Sequence, residues 1–133
     1  MTGNIILIGF MGVGKDTIGK IIAHRTTLRF VSTDHEILKK EGEPIHQIIE
    51  KKGESYSRQL ESDLIQILKK RRNMTLAAGC GCVFSPQNRN ILQEMGSVVH
   101  LTVEPALLET RFFVVTLLCV VNYFLRNGAG HSP

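Results

Sequence analysis

The residues Gly9-Phe10-Met11-Gly12-Val13-Gly14-Lys15-Asp16-Thr17 satisfy the pattern GxxxxGK. They stand directly after the apolar run Asn4 to Gly9 (NIILIG) and directly before Ile18, Ile21 and Ile22, which recur at helical spacing to about His24. A short continuous apolar run ending in glycine is the pattern of a strand buried on both faces of a parallel sheet. Strand, glycine-rich turn and helix together suit a bound phosphate. Glycines let backbone N–H groups curl around its oxygens, the new helix adds its positive dipole end, and Lys15 can bridge the outer phosphates. Taken without its flanks, the motif would read equally as a glycine-rich turn with a surface lysine. Asp16 is anomalous, because that position ordinarily supplies a Ser or Thr hydroxyl to Mg²⁺, and here the hydroxyl comes one residue later at Thr17. A carboxylate can ligate magnesium, which prefers oxygen; without metal it would repel the β- and γ-phosphates.

The pattern continues beyond the loop. Leu28 to Val31 reads as a second strand, Asp34 as the cap of a short helix (His35 to Lys40) ended by Gly42, and Pro44 as the first residue of a helix bearing Ile45, Ile48 and Ile49. Glu54 to about Arg71 is the longest helical stretch, with Leu60, Leu64, Ile67 and Leu68 as its expected buried stripe. Met74 to Ala78 is a third strand, followed by the turn Gly79-Cys80-Gly81. Ser85 and Pro86 open a helix that Gly96 closes, and Ser97 to Val103 is a fourth strand, with Glu104-Pro105 starting another helix. Strands alternating with helices imply right-handed crossovers and a parallel sheet covered on both faces, an α/β fold in three layers (α/β/α) with four parallel strands.

At 133 residues the chain has the size of one domain. Sixteen Lys plus Arg against twelve Asp plus Glu give a formal charge of +4, which suits anionic small molecules as well as nucleic acid. The basic run Lys69 to Arg72 closes a predicted helix, where cations meet the negative end of the dipole, and this reading is preferred to a nucleic-acid patch. Three cysteines, at positions 80, 82 and 119, cannot all pair, and Met-Thr-Gly-Asn is no secretory leader, so the expectation is a cytoplasmic, monomeric protein without a zinc site.

In combination these motifs resemble the shikimate kinase family over residues 4 to 111. GFMGVGKDT is similar to its phosphate loop, and Phe30-Val31-Ser32-Thr33-Asp34 to its strand-end motif of two aspartates around a threonine. Gly53-Glu54-Ser55-Tyr56-Ser57-Arg58-Gln59-Leu60-Glu61 resembles its substrate-arginine helix, and Ala78-Gly79-Cys80-Gly81 its triple-glycine turn. Val98-Val99-His100-Leu101 followed by Arg111 resembles the strand and helix leading to adenine. The resemblance implies a P-loop fold like that of nucleoside-monophosphate kinases and ATP- and Mg²⁺-dependent phosphorylation of shikimate or a similar hydroxy acid. Gly12, Val13, Gly14, Lys15, Asp16 and Thr17 would then bind the nucleotide, and Arg111 would lie against adenine. Asp34 would orient or deprotonate the acceptor hydroxyl, Arg58 would hold the substrate carboxylate, and Gly79, Cys80 and Gly81 would line the substrate ring. From the residues alone, Arg58 reads as well as a partner of Glu54 and Glu61 on the helix surface, and Asp34 as a cap.

The chain departs from that family at four places. Ser32 replaces the first aspartate and Asp16 replaces the hydroxyl residue, so the expected metal ligands are Asp16 and Ser32, one carboxylate and one hydroxyl exchanged between two positions. Cys80 replaces the middle glycine of the turn, which implies either an altered backbone or a smaller pocket. After Arg111 the sequence becomes apolar without periodicity, Phe112 to Leu125, and carries no lid motif. The expectation is therefore a domain over 1–111 and an atypical tail over 112–133 from a shifted frame or truncated gene, with the family's lid and fifth strand missing. Alternatives to an active kinase are a nucleotide-binding remnant and a membrane-associated protein, though fourteen residues fall short of the about 20 that a spanning helix needs.

Overall fold

The computed structural model describes residues 3–10 and 13–102. Strand β1 (Asn4–Gly9) lies inside a four-stranded sheet of order β2-β3-β1-β4, flanked by β3 (Met74–Ala77) and β4 (Gly96–Leu101), with β2 (Arg29–Ser32) beyond β3. Every pairing is parallel. This is why Asn4 to Gly9 shows no polar alternation: Ile5 and Leu7 turn to one face, Ile6 to the other, and all three are buried.

Helix α1 (Lys15–Arg25) covers the first face, where Ile18 and Ile22 pack with Ile5, Leu7, Leu28, Val99 and Leu101. On the opposite face α4 (Glu54–Leu68) and α5 (Pro86–Met95) bring Ile65, Leu68, Leu92 and Met95 against Ile6, Met74 and Leu76. These are the three layers expected. Two short helices, α2 (Thr33–Glu41) and α3 (Ile45–Lys52), fill the connection between β2 and α4. Buried Asn4 staples the lower edge of the sheet: its amide donates to the carbonyls of Arg71 (2.9 Å) and Met95 (3.2 Å), and its oxygen accepts from Met74 N–H (3.1 Å).

Three expectations need correcting. Asp34 is not the cap of α2: Ser32 is, its hydroxyl accepting from His35 N–H at 3.4 Å, and the helix already includes Thr33. Helix α4 ends at Leu68, so the basic run follows it rather than closing it, and Arg72 turns back to donate to the carbonyls of Lys69 and Arg71. The buried stripe of α4 is also rotated. Ser57, Glu61, Ile65 and Leu68 face inward, whereas Leu60 and Leu64 are only half-buried and Ile67 is 56 % exposed. Polar residues can occupy the inner face because they are partnered there: Ser57 donates to Glu54 O at 2.8 Å, and Glu61 accepts from Arg58. Leu60, Leu64 and Ile67 instead line a small cleft with Ile37 of α2. The expected helix after Pro105 and the tail over 112–133 lie outside the described residues.

Thr75, in the middle of β3, has a fully buried hydroxyl with no partner among the described residues. A buried unsatisfied hydroxyl destabilises by about 1–3 kcal/mol, and valine has nearly its shape. Thr75→Val is expected to raise the unfolding free energy by about 1 kcal/mol or more in urea titrations, with an unchanged m-value.

Candidate active site

The loops that follow the strands' C-terminal ends carry most of the residues singled out by the motifs, as expected for a crevice at the carboxyl edge of an open parallel sheet. The phosphate loop leaves β1 at Gly9 and enters α1 through Gly14, whose φ of 96° is left-handed and favours glycine. Lys15 Nζ folds back to donate to Gly9 O at 2.7 Å and more weakly to Phe10 O at 3.4 Å, holding the loop curled. Val13 is buried in the core, while Asp16 and Thr17 are exposed on the first turn of α1. Met11 and Gly12 lie outside the described residues.

β2 delivers Ser32, Thr33 and Asp34 to the same edge. Thr33 is wholly buried, and its hydroxyl accepts from Gly79 N–H at 2.7 Å, tying the end of β2 to the turn after β3. A Cβ on Gly79 would come 2.5 Å from Asp34 Oδ1, so a side chain there would displace the Asp34 carboxyl. Asp34 keeps an open side toward solvent, yet its carboxyl sits above its usual range. Surrounding protein is the main cause, the charge of Lys15 works against it, and the charge of Asp16 adds to it. Asp34, Lys15 and Asp16 therefore share one electrostatic neighbourhood.

Arg58 approaches from α4. Its guanidinium donates to both Glu61 oxygens (3.0 and 3.1 Å) and to Glu54 Oε1 (3.1 Å), the partners foreseen from the spacing, though only the Glu54 pair lies at the helix surface. It also lies over the Phe84 ring, Cζ 4.8 Å from the centroid, and fills the space a side chain on Gly81 would need. Gly79 and Gly81 thus separate Asp34 from Arg58 across a single turn. Cys80 between them opens a 3₁₀ turn (Cys80–Val83) and is exposed. Its side chain sits at the start of that turn, on the solvent side.

Two participants were not legible as such. Glu61 is almost completely buried; burial pushes its carboxyl up against the pull of Arg58, and Asp34 and Glu54 add to the rise. Cys82 is buried too, its thiol pushed up to about 12 by burial and by Glu61, with Sγ 3.8 Å from Thr33 Oγ1. Such a thiol is inert. The inward face of α4 was the missing signal for Glu61. Arg111, expected against adenine, lies outside the described residues. Among the described residues no cluster of three or more His, Cys, Asp and Glu is placed to hold a metal, and no helix is long and apolar enough to cross a membrane.

A carboxyl raised by folding contributes most favourably below its unfolded value, and that contribution is lost as pH climbs through the folded one. The Tm of the native chain minus that of Glu61→Gln is therefore expected to fall across a window that opens at the ordinary glutamate range, about pH 4, and extends upward from it. A difference that stays level across the window would show that Glu61 does not titrate there.

Known proteins agree with this geometry. The family model described as shikimate kinase matches residues 11–112. The shikimate kinase of Dechloromonas aromatica is 44 % identical over 108 residues, which cover 81 % of this chain and 59 % of the relative; that of Alkaliphilus oremlandii is 42 % identical over 106 residues, covering 80 % and 63 %. Among solved structures, the shikimate kinase from Acinetobacter baumannii in complex with shikimate superposes with a TM-score of 0.78 at 37 % identity, covering 84 % of this chain and 63 % of that one. The chain spans about three-fifths of the length of these curated relatives. With its phosphate loop, its β2-end aspartate and its helix-borne arginine in the family's order, the chain belongs to the shikimate kinase family.

Proposed function

We propose that the protein transfers the γ-phosphoryl group of ATP to a hydroxyl of shikimate, acting as a cytoplasmic monomer whose nucleotide-binding unit is residues 1–111 and whose tail is 112–133. The observation that carries the reading is the meeting of a lysine-bearing phosphate loop with Asp34, whose carboxyl feels both Lys15 and Asp16. Gly12, Val13, Gly14, Lys15, Asp16 and Thr17 cradle the phosphates, Lys15 exchanging the Gly9 carbonyl for a phosphate oxygen, and Arg111 lies against adenine. Arg58 takes the substrate carboxylate, and Gly79, Cys80 and Gly81 border the ring. Asp34 accepts the proton of the acceptor hydroxyl as that oxygen attacks phosphorus and ADP leaves. Its elevated carboxyl makes it a better base than an ordinary aspartate.

The donors near the loop suit magnesium. Asp16 is a hard oxygen donor close enough to Asp34 for the two charges to repel, a tension that a cation would relieve. Ser32 uses one lone pair to cap α2 and keeps another. Asp16 with Ser32 would hold the ion, which when bound would neutralise charge on the β- and γ-phosphates.

The activity is read as ADP release dependent on both ATP and shikimate. Arg58→Gln is expected to raise the KM for shikimate about ten- to a hundredfold, the value of a charge-assisted hydrogen bond, and to leave the KM for ATP unchanged. Asp34→Asn is expected to lower kcat about a hundredfold or more. ATP binding without turnover would reject the kinase and favour a nucleotide-binding remnant. The metal assignment is checked separately by Mg·ATP affinity in Asp16→Ser, Ser32→Asp and the double variant. Linked ligands predict that the double variant recovers affinity lost in the singles; strictly additive losses would refute the linkage.

A further inference from the structure

We infer that Phe84 is a positioning residue for Arg58, an aromatic platform that holds the guanidinium where an anionic carboxylate can reach it. This deepens the proposed function and rests on its assignment of Arg58. Phe84 is a large apolar side chain left 63 % exposed, yet its ring lies against a cation, with the Arg58 Cζ 4.8 Å from its centroid. Its backbone is clasped on two sides. Phe84 N–H donates to Gly81 O at 3.3 Å to close the 3₁₀ turn, and Arg89 of α5 donates to Val83 O at 2.7 Å and to Phe84 O at 3.3 Å. The ring is thus presented from a braced turn rather than a loose loop.

The chemistry explains why a ring would stand there. Glu54 and Glu61 already flank Arg58, so the local balance is one cation against two carboxylates, an unwelcoming field for a third. A further carboxylate used to fix the guanidinium would worsen that repulsion. An aromatic face attracts the cation through its quadrupole without adding a formal negative charge. Gly81 and Phe84, three residues apart on one turn, bound the guanidinium together: the first leaves room for it and the second supplies a surface. The carboxylates hold the terminal nitrogens of the side chain, Arg58 Nε is buried without a hydrogen-bond partner among the described residues, and the Phe84 ring adds a contact on the guanidinium that neither carboxylate supplies.

The test uses the full 133-residue chain and two readouts. Shikimate and ATP affinities are measured by calorimetry for the native chain, Phe84→Leu, Phe84→Tyr and Arg58→Gln, and the Arg58 Nε–H resonance is followed by NMR in the unliganded proteins. Loss of the aromatic face at a partly exposed site is expected to weaken shikimate binding about three- to fivefold in Phe84→Leu, with ATP affinity unchanged, whereas Phe84→Tyr binds like the native chain. The Nε–H resonance is expected to lose its ring-current shift in Phe84→Leu and to keep it in Phe84→Tyr. Native-like shikimate affinity in Phe84→Leu overturns the platform, because leucine keeps apolar bulk and lacks only the ring. If Arg58→Gln binds shikimate as the native chain does, or the native chain does not bind it, the parent assignment fails. The positioning of Arg58 by Phe84 is then decided by the Nε–H resonance, and an unmoved resonance overturns it.

Discussion

The hydrogen bond from Gly79 N–H to the buried hydroxyl of Thr33 joins the parts of the site that sequence separates. The two residues are 46 positions apart in sequence, and at 2.7 Å the bond brings the end of β2 against the turn after β3. Thr33 contributes the oxygen from the first turn of α2, so Asp34, next in the chain, comes to rest against Gly79. Two residues further along the turn, Gly81 makes room for Arg58 arriving from α4. One buried polar contact thus sets the turn between carboxylate and guanidinium, and a side chain at either glycine beside Cys80 would push one of those groups away. In a water-excluded setting such a contact is firm, since breaking it would leave an amide and a hydroxyl without partners.

Around that contact the charges are arranged in two groups. On the phosphate side Lys15 stands against Asp16 and Asp34; on the α4 side Arg58 stands against Glu54 and Glu61. In each group two carboxylates face one cation, so each is slightly over-supplied with negative charge although the chain as a whole is basic. Anionic ligands would be repelled if these were rigid point charges in a dry interior. They are not: Asp34 and Glu61 are the carboxyls that folding raises, which shifts both toward their neutral forms. A divalent cation beside Asp16 would correct the balance on the phosphate side. Arg58 has only its orientation to work with.

How much of this the sequence disclosed follows the range of the interactions. The entry into α1 through Gly14, the Gly42 end of α2 and the Ser85-Pro86 opening of α5 depend on residues a few positions apart, and each stands where its local pattern put it. Helix α4 met the pattern only in part: Leu68 of the expected stripe is fully buried and Leu64 packs at the edge of the core, but Leu60 and Ile67 lie off the buried face. Leu60, Leu64 and Ile67 look toward α2, while Ser57 and Glu61 take the inner face once Glu54 O and Arg58 satisfy them. That exchange depends on where α2 and the 3₁₀ turn lie, which no periodicity within α4 encodes. The same holds for Phe84, whose contact with a cation depends on where α4 places Arg58.

The capping of α2 shows how a small departure from the family pattern fits the fold. Either of two residues could have taken the free N–H groups of the helix: Ser32 by its hydroxyl or Asp34 by its carboxylate. Ser32 takes the role, and a serine is among the best caps. The consequence falls on Asp34, which keeps its oxygens out of the cap and in the crevice, against Gly79 and within the fields of Lys15 and Asp16. A carboxylate engaged by backbone N–H groups is held in its charged form and is a poor base. Serine at position 32 thus leaves the Asp34 carboxyl outside the cap, where the proposed mechanism has it accept a proton. In the proposed mechanism Ser32 both caps α2 and joins Asp16 in holding the metal, and Asp34, outside the cap, is left to accept the proton.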